Sequence, residues 1–417
     1  MGNWRRTSAW AAAWLLTGCP SPEPTDDDEG ADGTAGTAAE DDDGLESTGQ
    51  PDDDDDDDDD DVVDETAGDD DDDDDDDEDD DDDDDDATTG DDDDDDTPPG
   101  SVAECFEDVF VNETISEIGP DYDQYDVIPG SHCNGTNHQD IEGVERVVFL
   151  GDSVTVGTPP WLPQESYRSK LADLLRDEFG LQFGMGLDDG ELAWKAYNRF
   201  DGQAFARHSG DFSSCARWGA RNDDLMPMGG GQVGDCFTEE QQQLSTLVIV
   251  TMGGNDLSNM TQAAIDGATM EELWVQAEEV VDLKREAIEW LKEPGRFPNG
   301  IYIIFGNIIE FTDGTGEVES CDVSGLAGFD EPVPAPDELA EVVVWVQEQY
   351  GEIAVSSGSD MVFMFEGFCG HGFNADDPEA PCYRGPGNAN WFDFTCIHPN
   401  DVGHLELADM FVQTIME

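Results

Sequence analysis

The chain has 417 residues, with 105 acidic side chains against 16 basic ones and a formal net charge of −89. Forty-seven of the acids and two of the bases fall in the first hundred positions, so residues 101–417 are acidic in their own right, at −44. Such a surface repels phosphate backbones, which argues against nucleic acid as a partner, and it repels anionic headgroups and polyanionic polysaccharides unless cations intervene.

Arg5-Arg6 precede an apolar stretch, Ala9 to Leu16, that is too short to span a bilayer. Leu16-Thr17-Gly18-Cys19 follows. A charged start, an apolar run and a Cys at the cleavage point resemble a bacterial lipoprotein signal over residues 1–19. Cys19 is then the lipidated residue, and the protein is expected in the cell envelope, on the outer membrane or cell surface, tethered to membrane by its lipid. No later stretch is apolar and long enough to be read as a span.

Residues 20–100 read as a disordered, Asp-rich tether. Runs such as Asp52 to Asp61 and Asp69 to Asp77 bury too little apolar area to offset ordering entropy, and their mutual repulsion extends the chain. Specific calcium binding is the sharper alternative for so many carboxylates. The Gly and Glu spacing of an EF-hand loop is missing.

Eight cysteines follow Cys19: Cys105, Cys133, Cys215, Cys236, Cys321, Cys369, Cys382 and Cys396. An even count in an exported chain reads as disulfides. Proximity suggests Cys215–Cys236 and Cys369–Cys382. Without CxxC spacing, zinc and redox readings are disfavoured. His132 and His138 flank Cys133 without a full ligand set, so no metal is expected.

Residues 101–141 read as a loop-rich, Cys-containing extension stapled to a domain at 142–417. In that domain, predicted strands are Arg146 to Leu150, Leu192 to Tyr197, Leu247 to Met252, Ile301 to Gly306 and Asp360 to Phe365. Helices are predicted from Glu165 to Phe179, with Leu171, Leu174, Leu175 and Phe179 on one face, from Met270 to Leu291, from Pro336 to Val355, and after Gly403. The Met270 helix buries a stripe of Leu273, Ala277, Val280, Val281, Ala287, Ile288 and Leu291. Pro294 and Gly295 end it. Strands alternating with helices imply right-handed crossovers and a parallel sheet covered on both faces, which the nearly all-apolar strand runs support.

Three short motifs punctuate this pattern. Gly151-Asp152-Ser153 follows the first strand, Gly253-Gly254-Asn255-Asp256 follows Leu247 to Met252, and His398-Pro399-Asn400 lies near the C-terminus. Two sit at strand C-termini, where open α/β sheets place their sites. Together they supply a serine nucleophile, an imidazole base and an amide donor, the minimum for acyl transfer through an oxyanion. The G-x-S-x-G elbow of α/β-hydrolases is absent, because Thr155 stands at its second Gly.

The motifs, their order and the Gly403-His404 that follows resemble the SGNH (GDSL-type) serine ester hydrolases, over roughly Glu142 to the end. The resemblance implies an α/β fold: a flavodoxin-like three-layer α/β/α sandwich with a mostly parallel five-stranded sheet. It implies an esterase that works through an acyl-serine and needs no cofactor. Ser153 is the nucleophile and His398 the base, ahead of His404. The oxyanion is held by the amides of Ser153 and Gly219 and by the side chain of Asn255. Gly219 is chosen from Cys215 to Ala220, ahead of Asn222 to Leu225. Asp256 is expected to satisfy nearby backbone amides.

One position departs from the family. Its acid stands three residues before the histidine, where this chain has Thr395. Asp393 is the candidate, reaching the ring if the segment kinks; otherwise a backbone carbonyl orients the imidazole. His371, Trp161, Trp218, Trp391 and Phe392 are candidate substrate contacts. The expected substrate is a small-molecule or glycan ester: acetylated carbohydrate, short-chain ester or lipid, with a lean towards small or carbohydrate-borne acyl groups. A monomer is expected from the charge. Acyl transfer to another acceptor, or a non-catalytic binding protein on the same fold, are the rivals.

Overall fold

A computed structural model describes residues 99–112, 119–158, 165–226, 231–329 and 331–417. The signal, Cys19, the Asp-rich tether up to residue 98 and Trp161 lie outside the described residues. The first helix, α1 (Val102–Phe106), is capped by Ser101, whose side chain accepts from the Glu104 amide. Cys105 is bridged to Cys133. The segment around Cys133 then reaches the sheet: Thr136 N donates to Met361 O at 2.9 Å, and Phe363 N donates to Asn134 O at 2.9 Å.

Strand β1 (Arg146–Gly151) is buried at every residue. It runs into a single-turn helix, α2 (Ser153–Val156), and then α3 (Tyr167–Phe179). Leu171 and Leu175 of α3 are buried as predicted. Leu174 is not; it is 43% exposed and off the core face.

Leu192 to Tyr197, predicted as a strand, is mostly helix: α4 (Glu191–Lys195). Lys195 Nζ ties back to Glu191 at 2.7 Å and to Asp173 of α3 at 2.7 Å, the spacing of one helical turn. Short strands β2 (Tyr197–Asn198) and β3 (Gln203–Ala204) form a separate pair. The next sheet strand lies further on, at β5 (Phe212–Ser214), preceded by the two-residue β4 (His208–Ser209). Two of the three β5 residues are serines, which erased the apolar signal. Ser213 is buried because its hydroxyl accepts from Arg146 at 2.8 Å.

Helix α5 (Gln232–Cys236) precedes β6 (Thr246–Thr251). Then come α6 (Gly254–Ile265), α7 (Met270–Leu291), β7 (Ile301–Gly306) and α8 (Pro336–Ser357). The capping box of Thr269 and Glu272 starts α7, and its predicted stripe is buried. Strand β8 (Asp360–Val362) ends sooner than predicted, because Phe365 N turns to Asn307 Oδ1 at 2.7 Å and starts α9 (Met364–Phe368). The last helix is α10 (Asp401–Met416).

The sheet order is β4-β5-β1-β6-β7-β8, six strands rather than the five predicted. Five are parallel; β4 pairs antiparallel with β5 at one edge. The parallel five follow the flavodoxin-like order, which reverses between β1 and β6. Helices α3 and α10 pack together, as do α7 and α8. Right-handed crossovers put these pairs on opposite faces, giving an α/β/α sandwich. Cys215–Cys236 and Cys369–Cys382 are bridged as expected, and Cys321 pairs with Cys396. No helix among the described residues is long and apolar enough to cross a membrane.

Candidate active site

The crevice lies above β1 and β6, at the switch in strand order. Gly151 ends β1 with φ 152°, and a Cβ there would meet Thr155 Oγ1 at 2.1 Å and Thr251 O at 2.4 Å. Only glycine lets the two strand ends approach this closely. Gln232, which sequence reasoning missed, holds the same residue from both sides: its Nε2 donates to Gly151 O and its Oε1 accepts from Gly151 N, each at 2.8 Å. Asp152 caps the following turn by accepting from the Val154 amide at 2.9 Å. Ser153 therefore opens α2 from a fixed point, and its own N–H belongs to a first turn that has no intrahelical acceptor.

His398 comes from the loop before α10. Its Nε2 lies 2.8 Å from Ser153 Oγ. Its Nδ1 lies 2.7 Å from Thr395 Oγ1, and Thr395 donates its hydroxyl to Asp393 Oδ1 at 2.5 Å. Asp393 Oδ1 also takes the Thr395 amide at 2.8 Å. Asp393 thus touches Thr395 and not the ring; the expected direct kink onto the imidazole is absent, because the hydroxyl occupies that place.

The order of donors follows from this. An ionised carboxylate only accepts, so Thr395 must donate to Asp393. Its oxygen is then left to accept from Nδ1–H, and Nε2 keeps a lone pair facing the serine hydroxyl. Burial pushes His398 down to about 3, with the nearby His404 charge acting in the same direction. Burial raises Asp393 above the usual carboxylate range, opposed by the bonds from Thr395.

Asn255 sits at the start of α6. Gly253 before it has φ 129°, and a Cβ there would strike Ile308 and the Tyr350 hydroxyl. Asn255 Nδ2 donates to Ala220 O at 2.9 Å. That bond orients the amide and leaves its second N–H for the cavity it lines with Ser153 and His398. Gly219, with φ 70°, precedes Ala220 in a loop pinned to the end of β1 by Arg217 N donating to Gly151 O at 3.1 Å. Asp256 does accept from a backbone amide, that of Asn222, at 3.1 Å.

Beneath the site lies Lys284, fully buried in the α7 stripe where periodicity reserves an apolar residue. Its Nζ is 5.0 Å from the ring centres of Phe305 and Tyr350 and has no hydrogen-bond partner among the described residues. Burial lowers Lys284 to about 7 and raises Asp152 and Asp256 to about 7; the two carboxylates favour the ammonium and the ammonium favours the Asp152 carboxylate, while Asp152 opposes the charge on Asp256.

The remaining candidates fall elsewhere. His404 is buried against Tyr167, whose amide donates to its Nδ1 at 3.3 Å. His371 stacks on Trp391 at 3.7 Å, and its Nδ1 is 2.9 Å from Ala389 O; neither ring lines the cavity. Trp218 packs on Tyr197 and donates to Thr158, while Phe392 does line the cavity.

No protein-family model matches the chain, and no curated protein does. Solved structures similar to it include a gut microbial diltiazem-metabolizing enzyme (16% identity, TM-score 0.41), with 66% of this chain and 48% of that one covered. A putative SGNH hydrolase from Slackia heliotrinireducens is 12% identical with a TM-score of 0.32, over 65% and 99% of the two chains. A two-domain esterase active on acetylated mannans is 13% identical with a TM-score of 0.34, over 66% and 50%. The match thus spans about half the length of the first and the last of these.

Proposed function

We propose that the protein is a serine esterase that cleaves carboxylic esters through an acyl-serine. The observation that carries this reading is the 2.8 Å contact between His398 Nε2 and Ser153 Oγ, with the far side of the ring held by Thr395. Ser153 Oγ attacks the ester carbonyl as His398 takes its proton. The oxyanion is held by the amides of Ser153 and Gly219 and by Asn255. His398 returns the proton to the leaving alcohol, then activates a water that releases the acid. The first nineteen residues support export and lipid attachment at Cys19, with the Asp-rich segment as the spacer to the enzyme.

A fluorophosphonate probe tests the reading directly. The full-length protein is expected to label once, at Ser153, and Ser153→Ala is expected to abolish labelling. A folded protein that stays unlabelled removes the activated serine and favours a binding role.

The pH dependence gives a second check. A histidine depressed to about 3 in the folded state stays neutral, and so competent as a base, well below its ordinary value near 6.5. The acid limb of kcat/KM is expected below pH ~5. The same depression means the unfolded chain binds more protons between the two values, so this group's contribution to stability falls as pH drops below its unfolded value. An acid limb near 6.5 would mean that the imidazole is hydrated in the working enzyme.

A further inference from the structure

Ser153, Asn255 and His398 line a cavity of about 200 Å³ together. Its apolar wall includes Ile308, Ile309, Phe311, Phe329, Val333 and Val343, contributed by the long β7–α8 connection and the first turns of α8. Most polar side chains along the wall are already spent on the protein. Glu310 accepts from the Thr312 amide and hydroxyl and from the Gly314 amide. Thr312 also accepts from Gly316 N, Thr261 donates to Leu257 O, and Asn307 is held by Tyr122 and Glu366.

A sugar ring placed here would surrender its hydrogen bonds to water and find few replacements. A hydrocarbon chain loses nothing. The size is informative as well: an apolar cavity of about 150 Å³ suffices for a benzene ring, so an acetyl group would leave most of this one unfilled.

We propose that this cavity binds the acyl chain of the substrate, a straight chain of about six to eight carbons by that comparison. The alcohol part then leaves towards solvent. This rests on the esterase reading, and it moves the expectation from small or carbohydrate-borne acyl groups to medium-chain esters.

The test is a chain-length series of p-nitrophenyl esters, from acetate through hexanoate and octanoate to hexadecanoate, on the full-length protein. Burial of each methylene is worth about fourfold in kcat/KM, so a rise on the order of 10²-fold from acetate to hexanoate is expected, with a fall once the chain outgrows the cavity. Val343→Trp, which fills the cavity, is expected to move the optimum to a shorter chain.

Activity that is flat or highest with acetate overturns the chain site and leaves the esterase reading standing. So does a protein that labels at Ser153 but cleaves none of the series. A protein that neither labels nor cleaves any ester overturns the esterase reading itself. The wild-type series is decisive even if Val343→Trp fails to fold.

Discussion

Replacing His398 with alanine is expected to lower kcat on the best p-nitrophenyl ester by about 10⁵- to 10⁶-fold, or roughly 7–8 kcal/mol of lost transition-state stabilisation. The size follows from the geometry. Among the described residues His398 is the base within 3 Å of Ser153 Oγ, and the serine hydroxyl is a poor nucleophile at its ordinary pKa. Without the imidazole, deprotonation falls to water. Serine and histidine act as a unit, so the Ser153→Ala/His398→Ala double variant is expected to be no slower than either single one. KM should change far less than kcat, because the apolar cavity proposed for the acyl chain is untouched. A folded His398→Ala protein that keeps more than about one per cent of activity would hand the base role to another group and undo the assignment.

The second large effect is expected at Thr395. Thr395→Val keeps the shape and removes the hydroxyl. Nδ1–H then has no acceptor, and the ring is free to adopt the other tautomer, which presents N–H rather than a lone pair to Ser153. Loss of the orienting group in a Ser-His-Asp triad costs up to about 10⁴ in kcat; acting through a hydroxyl, the loss here is expected at about 10²- to 10³-fold. Thr395→Ser should restore kcat to within about threefold, since the same bonds can form. Asp393→Asn should cost less than Asp393→Ala, because an amide oxygen can still accept from Thr395. A merely structural role for Thr395 would lower stability and spare the pH profile. A role in fixing the imidazole shifts the profile and makes the Asp393 and Thr395 effects non-additive. Wild-type kcat in a folded Thr395→Val protein would remove Thr395 from the mechanism.

The parts of the fold that sequence made legible are those where one physical signal dominates. The α7 stripe, the apolar runs of β1, β6 and β7, and the burial of Leu171 and Leu175 in α3 each follow from periodicity and burial. The misreading around Leu192 came from a five-residue helix too short to show a period, held by the buried Trp194 and by Lys195 on Glu191 and Asp173, and from a true strand rich in serine. At the site, the motifs located Ser153 and Asn255 just past two strand ends and His398 near the C-terminus. They could not say that a threonine would stand between Asp393 and the ring. That depends on the turn at Cys396, which has φ 71° and is bridged to Cys321, a contact between residues 75 positions apart. Gln232 and Lys284 were equally hidden: one is a glutamine in a loop-rich region and the other a cation in an apolar stripe, and only packing brings the first onto Gly151 and the second between Phe305 and Tyr350.

The segment that reaches β8 from Cys133 carries one more consequence. A terminal strand ordinarily offers a row of unpaired amides and carbonyls on which another chain can build. Here that row is occupied: Gly135 bridges to Val362, Thr136 takes Met361 with its amide and its hydroxyl, and Asn134 takes Phe363. A Cβ at Gly135 would sit 2.7 Å from Met361 O, so glycine is what lets the strap lie this close. With the Cys105–Cys133 bridge anchoring it, the strap is a covalently secured guard against strand-to-strand aggregation along that side of the sheet.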